Sequence, residues 1–414
     1  MKLLFVTPYL PGPPLFGGAR RIRGLMTQLA QSHDVSLLSL VDANSDPGIA
    51  IANAEVYCRQ VETVPDRLHR VTGRAKRLLQ LGSLVSLWSW EKLLYLRPAL
   101  QRALDRHLQQ HEYDVVVFEF AFMASYRLRA GARGRKRPYL VLDEHNVEYD
   151  LLRRTAETAG MGRRIFQELN WRKLKREEIA TWRRFDACTL TSARDETFVR
   201  REAPGIRTAV VPNGVDIEEF VPRPDAVLEP KTILFFGAIN YYPNEDGVLY
   251  FARRILPLLR ALEPEVLLRV IGPVDEVGPV TDLRGDGVEV LGFRDDVKAE
   301  IARAALVVVP LRIGGGTRLK ILEAMAMGKA IVSTSLGAEG IDVEHDKDIL
   351  LADEPEEFAR LVATALADAG LRERLGAAAR QTAVTRYSWR TAADRMEVLL
   401  QDLQSQGRNA TTKT

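Results

Sequence analysis

The sequence predicts an α/β protein made of two doubly wound domains, each built around a parallel sheet. Short apolar runs alternate with helix-like segments along most of the chain, which is typical of parallel α/β domains. This alternation begins afresh after a Pro-Asn-Gly segment at 212–214, where each residue favours non-regular backbone. A length of 414 residues is sufficient for two domains with substantial cores.

The first domain is predicted over residues 1–209. Its strands are predicted from short apolar runs, at 2–7, 35–41, 114–118, 138–142 and 186–190. A Pro/Gly-rich loop follows the first strand, and a helix is predicted over 19–31. Gly17 and Gly18 therefore lie where the carboxyl end of a strand meets a helix, which is the usual ligand position in such sheets. A plain loop without a ligand is the alternative.

Residues 67–108 are helical in composition and bring basic residues together with leucines and tryptophans. The basic residues are Arg67, Arg70, Arg74, Lys76 and Arg77, and the apolar ones are Leu84, Val85, Leu87, Trp88 and Trp90. Such a combination is typical of an interfacial membrane-binding element. The alternative is that the tryptophans pack into the domain while the arginines are simply solvated.

Polar residues follow two later strands of this domain. They are Glu119, after the third strand, and Asp143, Glu144, His145 and Asn146, after the fourth. Loops at strand ends commonly carry function, and a histidine can donate or accept a hydrogen bond near neutral pH. These residues are predicted to belong to a functional site, with a purely structural histidine as the alternative.

The second domain is predicted over residues 210–388. Its strands are predicted at 232–236, 266–271, 288–291, 305–309 and 330–334. Its clearest helices are predicted at 247–262, 296–304, 317–327, 356–367 and 371–385. An amphipathic helix over 389–404 is expected to pack back on the first domain, and the polar residues 405–414 are expected to be disordered.

The glycine loop at 314–316 organises the second domain. The strand at 305–309 leads into three consecutive glycines, and a helix follows at once. Glycines let a ligand approach the main chain closely, and a helix start offers unpaired N–H groups and a positive dipole end to a phosphate. Arg318 and Lys320 add positive charge, and Glu323 adds a carboxylate. This pattern predicts a sugar-nucleotide site; glycines that serve only a turn are the alternative.

Composition and charge limit the functional classes. A net charge of +3 does not indicate a general nucleic-acid binder, although the basic excess of the N-terminal half favours anionic partners. Cys58 and Cys188 show no metal-ligand pattern and fit a reducing cytoplasm. Residues 3–6 are too few for the apolar region of a signal peptide. The charge-free apolar run at 78–90 is shorter than the roughly 20 residues of a membrane-spanning helix.

Four motifs carry a resemblance to a known family. The most specific is GGGTRLKILEAMAMGKAIVSTSLGAEG at 314–340, and the others are VPNGVD at 211–216, FFGAINYYPN at 235–244 and LGFRDDV at 291–297. With these motifs the chain resembles the glycosyltransferases of GT-B type, in the large retaining group called family 4, from Gly17 to the tail that begins at Tyr387. The resemblance implies two Rossmann-like domains that face a central cleft, with a C-terminal helix that crosses back to the first domain.

Members of this family move a sugar from a nucleotide-diphosphate sugar to an acceptor hydroxyl group. The resemblance implies that the second domain holds most of the donor, that the first holds most of the acceptor, and that reaction occurs in the cleft. It implies catalytic roles for His145, Arg318 and Lys320, and acceptor-binding roles for Glu119, Asp143 and Asn146. The donor-binding residues that it implies are Gly17, Gly18, Gly237, Asn240, Phe293, Arg294, Gly314, Gly315, Gly316, Thr317, Leu319 and Glu323.

The chain departs from the family pattern in two places. Gly315 occupies the position of the first glutamate in a glutamate–seven residues–glutamate motif, whose second glutamate is Glu323. Ala238 and the residues 241–244 stand where the family commonly has an arginine and a lysine. The charge of the donor diphosphate is therefore expected to rest on Arg318, Lys320 and backbone dipoles, with no metal or other cofactor.

The expected acceptor is a glycan or a lipid-linked oligosaccharide, which places the chain in polysaccharide biosynthesis. A cytoplasmic protein is expected, in peripheral contact with an anionic membrane at the inner face of the cell membrane through residues 67–90. A UDP-sugar 2-epimerase-like enzyme of the same architecture is one alternative, and a catalytically inactive sugar-nucleotide-binding protein is another. A nucleic-acid binder is the weakest alternative, because no nucleic-acid motif is present.

Overall fold

The computed structural model describes residues 1–12, 16–66, 73–128, 137–157, 161–285 and 287–411 of the chain. These residues form two compact units, Met1–Pro212 with Ala392–Thr414, and Asn213–Thr391. We call them the N-terminal and the C-terminal unit. Each unit has one parallel sheet and its own apolar core, so the predicted class of two doubly wound α/β domains is confirmed.

The N-terminal unit contains a parallel sheet of seven strands in the order β3-β2-β1-β4-β5-β6-β7. The strands are β1 (Lys2–Thr7), β2 (Asp34–Asp42), β3 (Gln60–Asp66), β4 (Val115–Glu119), β5 (Tyr139–Glu144), β6 (Ala187–Leu190) and β7 (Arg207–Val210). Chain order runs one way from β1 to β3 and the other way from β4 to β7. The crevice at the carboxyl ends of β1 and β4 is therefore the topological switch point, where ligands bind in open α/β sheets.

Between these strands, the described residues form eight α-helices. They are α1 (Gly17–Leu29), α2 (Gly48–Glu55), α3 (Gly73–Val85), α4 (Trp90–Tyr95), α5 (Pro98–Gln110), α6 (Glu148–Glu157), α7 (Met161–Trp182) and α8 (Ala193–Glu202). The helix α1 forms because Ile22, Leu25, Met26 and Leu29 recur at helical spacing, and all four are buried. This packing fixes the start of α1 at the switch point.

The C-terminal unit contains a parallel sheet of six strands in the order β10-β9-β8-β11-β12-β13. The strands are β8 (Glu229–Phe236), β9 (Leu267–Ile271), β10 (Val288–Gly292), β11 (Ala304–Val309), β12 (Ile331–Ser333) and β13 (Leu350–Leu351). Its helices are α9 (Tyr242–Tyr250), α10 (Leu256–Leu262), α11 (Val297–Arg303), α12 (Leu319–Ala326), α13 (Pro355–Ala367) and α14 (Ala369–Arg386). The neighbours β8 and β11 form the switch point of this sheet.

The last helix, α15 (Trp389–Thr411), packs within the N-terminal unit over most of its length. Its buried residues Met396, Leu399, Leu400 and Leu403 form one apolar stripe. The helix continues to Thr411, whereas the sequence predicts disorder from residue 405. The continuation has a simple cause, because each residue added to an existing helix gains a backbone hydrogen bond. Residues 412–414 lie outside the described part of the chain.

The structure differs from the sequence prediction in several elements. The sequence predicts neither the strands β3, β7 and β13 nor the helices α2, α6 and α8, because β3 is half-buried with mixed composition and the others are short. The helical region predicted over 67–108 is divided into α3, α4 and α5. Asp143 and Glu144 end β5 instead of following it. Within the described residues, none of the helices has the length and apolar character needed to cross a membrane.

Candidate functional site

The sheet of the N-terminal unit brings polar side chains from three neighbouring strands together. Glu119, the last residue of β4, pairs in register with Asp143 of β5, and Asp143 pairs in register with Thr189 of β6. His145 follows directly after β5. The predicted residues Glu119, Asp143 and His145 therefore meet at the carboxyl edge of the sheet, next to the switch point.

Arg21 of α1 is bound to Asp143 by two hydrogen bonds. Its Nε lies 2.8 Å from Asp143 Oδ2 and its Nη2 lies 2.6 Å from Oδ1, and Nη1 donates to the carbonyl oxygen of Val211 at 2.9 Å. Thr189 Oγ1 also donates to Asp143. Burial opposes the charge on Asp143, but the Arg21 guanidinium outweighs it and lowers the pKa of Asp143 to about 2. Asp143 is therefore an anion held inside the unit.

His145 is bound to Glu119 and is electrically neutral near pH 7. Its Nε2 lies 2.7 Å from Glu119 Oε2 and 3.6 Å from Asp143 Oδ2. Burial lowers the pKa of His145 to about 3, while burial and the nearby Asp143 charge raise the pKa of Glu119 well above its ordinary value. Because Nε2 is engaged by Glu119, Nδ1 is the ring nitrogen that remains for a substrate.

One aromatic ring packs against this histidine. The ring centroid of Phe120 lies 3.8 Å from that of His145, and Phe120 has a φ of 71°, which is unusual for a bulky residue. Such backbone strain is concentrated at functional sites. At the start of α1, a Cβ on Gly18 would lie only 2.0 Å from the Tyr9 hydroxyl oxygen. A side chain at position 18 would therefore collide with the Tyr9 hydroxyl group where it now stands, while Gly17 is exposed.

The same cluster contains residue types that bind metal ions. Ligand atoms of Glu119, Asp143 and His145 lie within 4.8 Å of one another. However, Arg21 already binds both oxygens of Asp143, and a divalent cation would face this buried guanidinium. The residues present fit a charge-compensated hydrogen-bonded cluster better than a metal centre.

The glycine loop of the C-terminal unit connects β11 to α12. Gly314 has a φ of 125° and Gly316 a φ of 72°, a region of backbone space that favours glycine. Arg318 stands immediately before α12, and its Nη1 donates to the carbonyl oxygens of Gly315 and Gly316. The guanidinium therefore holds the loop together by hydrogen bonds to its carbonyl groups. One of these belongs to Gly315, which occupies the position of the first glutamate of the family motif.

Lys320 links this loop to the end of β8. Its Nζ lies 2.7 Å from Asn244 Oδ1 and 4.0 Å from the ring centroid of Phe235, and Asn244 Nδ2 donates to the carbonyl oxygen of Ala238 at 2.7 Å. Burial, with a smaller contribution from the Arg318 charge, lowers the pKa of Lys320 to about 7. A Cβ on Gly237 would lie 3.0 Å from Lys320 Nζ. The switch point thus holds a lysine that is close to losing its charge.

The remaining predicted residues lie near the carboxyl edges of the two sheets. Glu323 is buried on α12, and Leu319 and Thr317 are half-buried. Asn240, Phe293 and Arg294 are exposed in loops after β8 and β10, at the same carboxyl edge as the glycine loop. In the N-terminal unit, Asn146 is half-buried and its Nδ2 donates to Glu148 Oε1 at 3.2 Å.

Arg21 and Asn244 are among the residues of these clusters that the sequence does not predict. Arg21 could have been found, because it falls on the apolar stripe of α1 and a buried arginine requires a carboxylate partner. Asn244 gave no such signal, since its partner Lys320 lies 76 residues further along the chain.

Two family models match the chain. Residues 17–219 match a model described as "Glycosyltransferase Family 4", and residues 230–368 match one described as "Glycosyl transferases group 1". The chain is also similar to a phosphatidyl-myo-inositol mannosyltransferase of Mycolicibacterium smegmatis, with 34% identity over 145 residues, which is 33% of this chain and 36% of that protein.

Solved structures share the fold over nearly the whole chain. Sucrose-phosphate synthase from Thermosynechococcus elongatus has a TM-score of 0.72 at 18% identity, with 98% of this chain and 100% of that chain covered. HepE of Anabaena in complex with UDP has a TM-score of 0.68 at 18% identity, with 97% and 100% covered.

Proposed function

The chain belongs to the group 1 glycosyl transferases with a GT-B fold, and from that membership we propose a retaining transfer from a nucleotide-diphosphate sugar to an acceptor hydroxyl group. We assign the donor to the C-terminal unit and the acceptor to the N-terminal unit. A UDP-sugar is the first donor to test, because the structural neighbour HepE binds UDP. The acceptor class that we propose is a glycan or a lipid-linked oligosaccharide, in polysaccharide biosynthesis.

The observation that carries the donor assignment is the loop from Gly314 to Lys320. It combines left-handed glycines, the N-terminus of α12 and two cations at the switch point of the sheet. Backbone N–H groups and cations in this arrangement suit a diphosphate. The buried carboxylate of Glu323 suits ribose hydroxyl groups, which donate hydrogen bonds to it.

In the proposed reaction, the acceptor oxygen bonds to the anomeric carbon while the bond from this carbon to the diphosphate breaks on the same face. The leaving phosphate takes the acceptor proton, so the reaction requires no protein base. Arg318, Lys320 and the α12 N-terminus stabilise the charge that develops on the diphosphate. We propose that these groups make a divalent metal unnecessary.

We assign to His145 a role in positioning the reacting groups. Its Nε2 is held by Glu119, and its neutral ring can offer Nδ1 to a hydroxyl group. The full burial of Glu119 and Asp143 supports a positioning role for both carboxyl groups, in place of the acceptor contact predicted from the sequence. Asn146 is half-buried and keeps its proposed acceptor role. Cys58 and Cys188 are free thiols, which supports the proposed cytoplasmic location.

Arg318→Ala tests this function. After a thermal-shift screen of nucleoside diphosphates and nucleotide sugars has identified the donor, release of the nucleoside diphosphate is measured. We expect the Arg318→Ala variant to lose on the order of a hundred-fold in turnover, the typical effect of removing one donor to transition-state charge. Arg374→Ala is the control, because Arg374 is exposed and pairs only with Asp346 among the ion pairs of the described residues. Equal turnover in both variants, with unchanged melting temperatures, would contradict the assignment.

A UDP-sugar incubated without acceptor distinguishes the alternatives. An epimerase converts the sugar to its 2-epimer, whereas a transferase leaves the donor intact or hydrolyses it slowly. An inactive binding protein is suggested by Gly315, which stands where the family motif has a glutamate. Such a protein would be stabilised by the UDP-sugar but would release no nucleotide with any acceptor.

A further inference from the structure

The helix α3 carries an apolar stripe that faces solvent. Leu78, Leu81 and Val85 are 69%, 61% and 89% exposed, and their spacing of three and four residues places them on one face. Ser83, on the opposite face, is only 2% exposed. An amphipathic helix on a globular core normally buries its apolar face and exposes its polar one. In α3 the apolar stripe is exposed instead.

The exposed apolar surface continues beyond the helix. Leu87 and Trp88, in the segment that leads to α4, are 75% and 45% exposed. Together with Leu78, Leu81 and Val85 they form what we call the α3 patch. Single exposed apolar residues are normal on protein surfaces. Within residues 78–88, seven large apolar side chains are exposed: the five of the patch, with Leu79 and Leu84. Such a cluster indicates a surface that contacts something other than water.

The underside of α3 is tied to α7 by hydrogen bonds. Lys173 Nζ lies 2.6 Å from the carbonyl oxygen of Ser83 and 3.2 Å from that of Leu84, and Arg176 donates to the carbonyl oxygen of Leu87. Lysine and arginine side chains thus satisfy the carbonyl groups at the end of the helix. The polar contacts face the unit, and the apolar residues are therefore held outward by the fold.

Positive charge lies beside this patch. Lys76 and Arg77 on α3 are exposed, and Lys92 Nζ lies 5.3 Å from the ring centroid of Trp88. The sequence contains no aspartate or glutamate from Lys76 to Trp90. Arg67 and Arg70 of the predicted basic run lie outside the described residues. The surface is therefore both apolar and cationic.

We propose that the α3 patch is an interfacial surface that inserts into the headgroup region of an anionic lipid bilayer. Exposed leucines, an interfacial tryptophan and flanking cations are the three features of helices that lie in this region. Charge complementarity selects this occupant over a second copy of the chain, because a symmetric dimer would place identical cationic surfaces against each other. The segment that flanks the patch, α4, belongs to the unit to which the acceptor is assigned.

This surface is independent of the sugar-transfer reaction, so its test requires no donor or acceptor. The full-length protein is floated with vesicles of phosphatidylcholine alone, and with vesicles of equal parts phosphatidylcholine and phosphatidylglycerol. We expect flotation with the anionic vesicles, weakened by added salt, and little flotation with the neutral ones. We expect the Leu81→Glu/Val85→Glu variant to lose at least ten-fold in the bound fraction.

Val277→Glu is the matched control, because Val277 is 88% exposed in the C-terminal unit and outside the patch. It should float like the unchanged protein. All three substitutions are at exposed positions, and melting temperatures verify that the variants are folded. The proposal is overturned if the unchanged protein does not float with anionic vesicles, or if both variants float equally. A dimer in light scattering that dissociates in the Leu81→Glu/Val85→Glu variant alone would assign the patch to a second copy instead.

Discussion

Burial and a bound diphosphate should act on the pKa of Lys320 in opposite directions. Burial lowers its pKa to about 7, so about half of the molecules carry a neutral Lys320 at that pH. Its Nζ donates to a neutral amide, Asn244, and not to a carboxylate. An arriving diphosphate would supply the missing negative charge and raise the pKa of Lys320. Binding of the proposed donor is therefore coupled to proton uptake.

UDP affinity should consequently fall as the pH rises above about 7. The sign follows from linkage: the complex holds a proton that the free protein loses, so the dissociation constant increases by up to about ten-fold per pH unit. Calorimetry between about pH 6 and pH 9, in buffers of different ionisation enthalpy, measures both affinity and proton uptake. Lys320→Met should bind weakly and with much less pH dependence, whereas Lys347→Met, an exposed control, should behave like the unchanged protein. A pH-independent affinity in the unchanged protein would refute the coupling.

Individual residues also show how far the sequence could predict the site. The glycine loop, Arg318 and Lys320 are contiguous in sequence, so their placement at one sheet edge followed from the strand–loop–helix pattern alone. The contacts of Arg318 with Gly315 and Gly316 could not be predicted in this way, because they depend on left-handed backbone and on side-chain torsions. The same is true of Lys320 and Asn244, whose contact is set by the register of two distant elements.

At the scale of elements, helices of the N-terminal unit bury several carboxyl groups. Burial is the main cause that raises the pKa of Glu91 on α4 to about 7, of Glu148 on α6 to about 7 and of Glu144 on β5 to about 8. Their partners are neutral donors, such as Asn170 Nδ2 for Glu91 and Trp182 Nε1 for Glu144. Because these carboxyl groups have no cationic partner among the described residues, the folded unit is more stable when they are protonated.

The N-terminal unit should therefore lose stability as the pH rises from about 5 to about 8. The folded-state pKa of Glu91 lies above its unfolded value, so the folded state retains a proton that the unfolded state releases, and the free energy of unfolding falls through this window. Glu91→Gln should remove up to about 3 kcal/mol of that pH dependence, since one pKa unit corresponds to about 1.4 kcal/mol. Urea denaturation at about pH 5 and about pH 8 measures this change in the free energy of unfolding. Glu218→Gln is the control, because Glu218 is exposed. Identical pH dependence in the two variants would show that Glu91 is charged in the folded state.

Element types were predictable where one strong apolar pattern sets the structure. The buried strands β1, β4 and β11 read as short apolar runs, and α1 and α15 as amphipathic helices. The sequence predicts that α3 is helical. It does not predict whether the apolar stripe of α3 is buried or exposed, because periodicity shows only which residues share a face. Short edge strands such as β13 have too few residues to form a pattern.

At the scale of the whole molecule, the two units have separate cores. One apolar cluster extends from Leu4 to Ala203, and the other from Val215 to Tyr387. Four tryptophans, Trp88, Trp90, Trp171 and Trp182, lie in the N-terminal unit, and Trp389 lies in the C-terminal unit. Tryptophan fluorescence therefore reports mainly on unfolding of the N-terminal unit, while calorimetry reports on unfolding of both units.

Donor binding should act on the stability of the C-terminal unit. A ligand that binds only the folded form at about a hundred times its dissociation constant adds about 2.7 kcal/mol, which for a unit of this size raises the melting temperature by roughly 5–10 °C. We expect UDP to shift the calorimetric transition of the C-terminal unit and to leave the main fluorescence transition in place. Lys320→Met should abolish the shift, while Lys347→Met should retain it. A UDP-dependent shift of the fluorescence transition alone would place the nucleotide in the N-terminal unit, because binding energy stabilises the core that contains the binding residues.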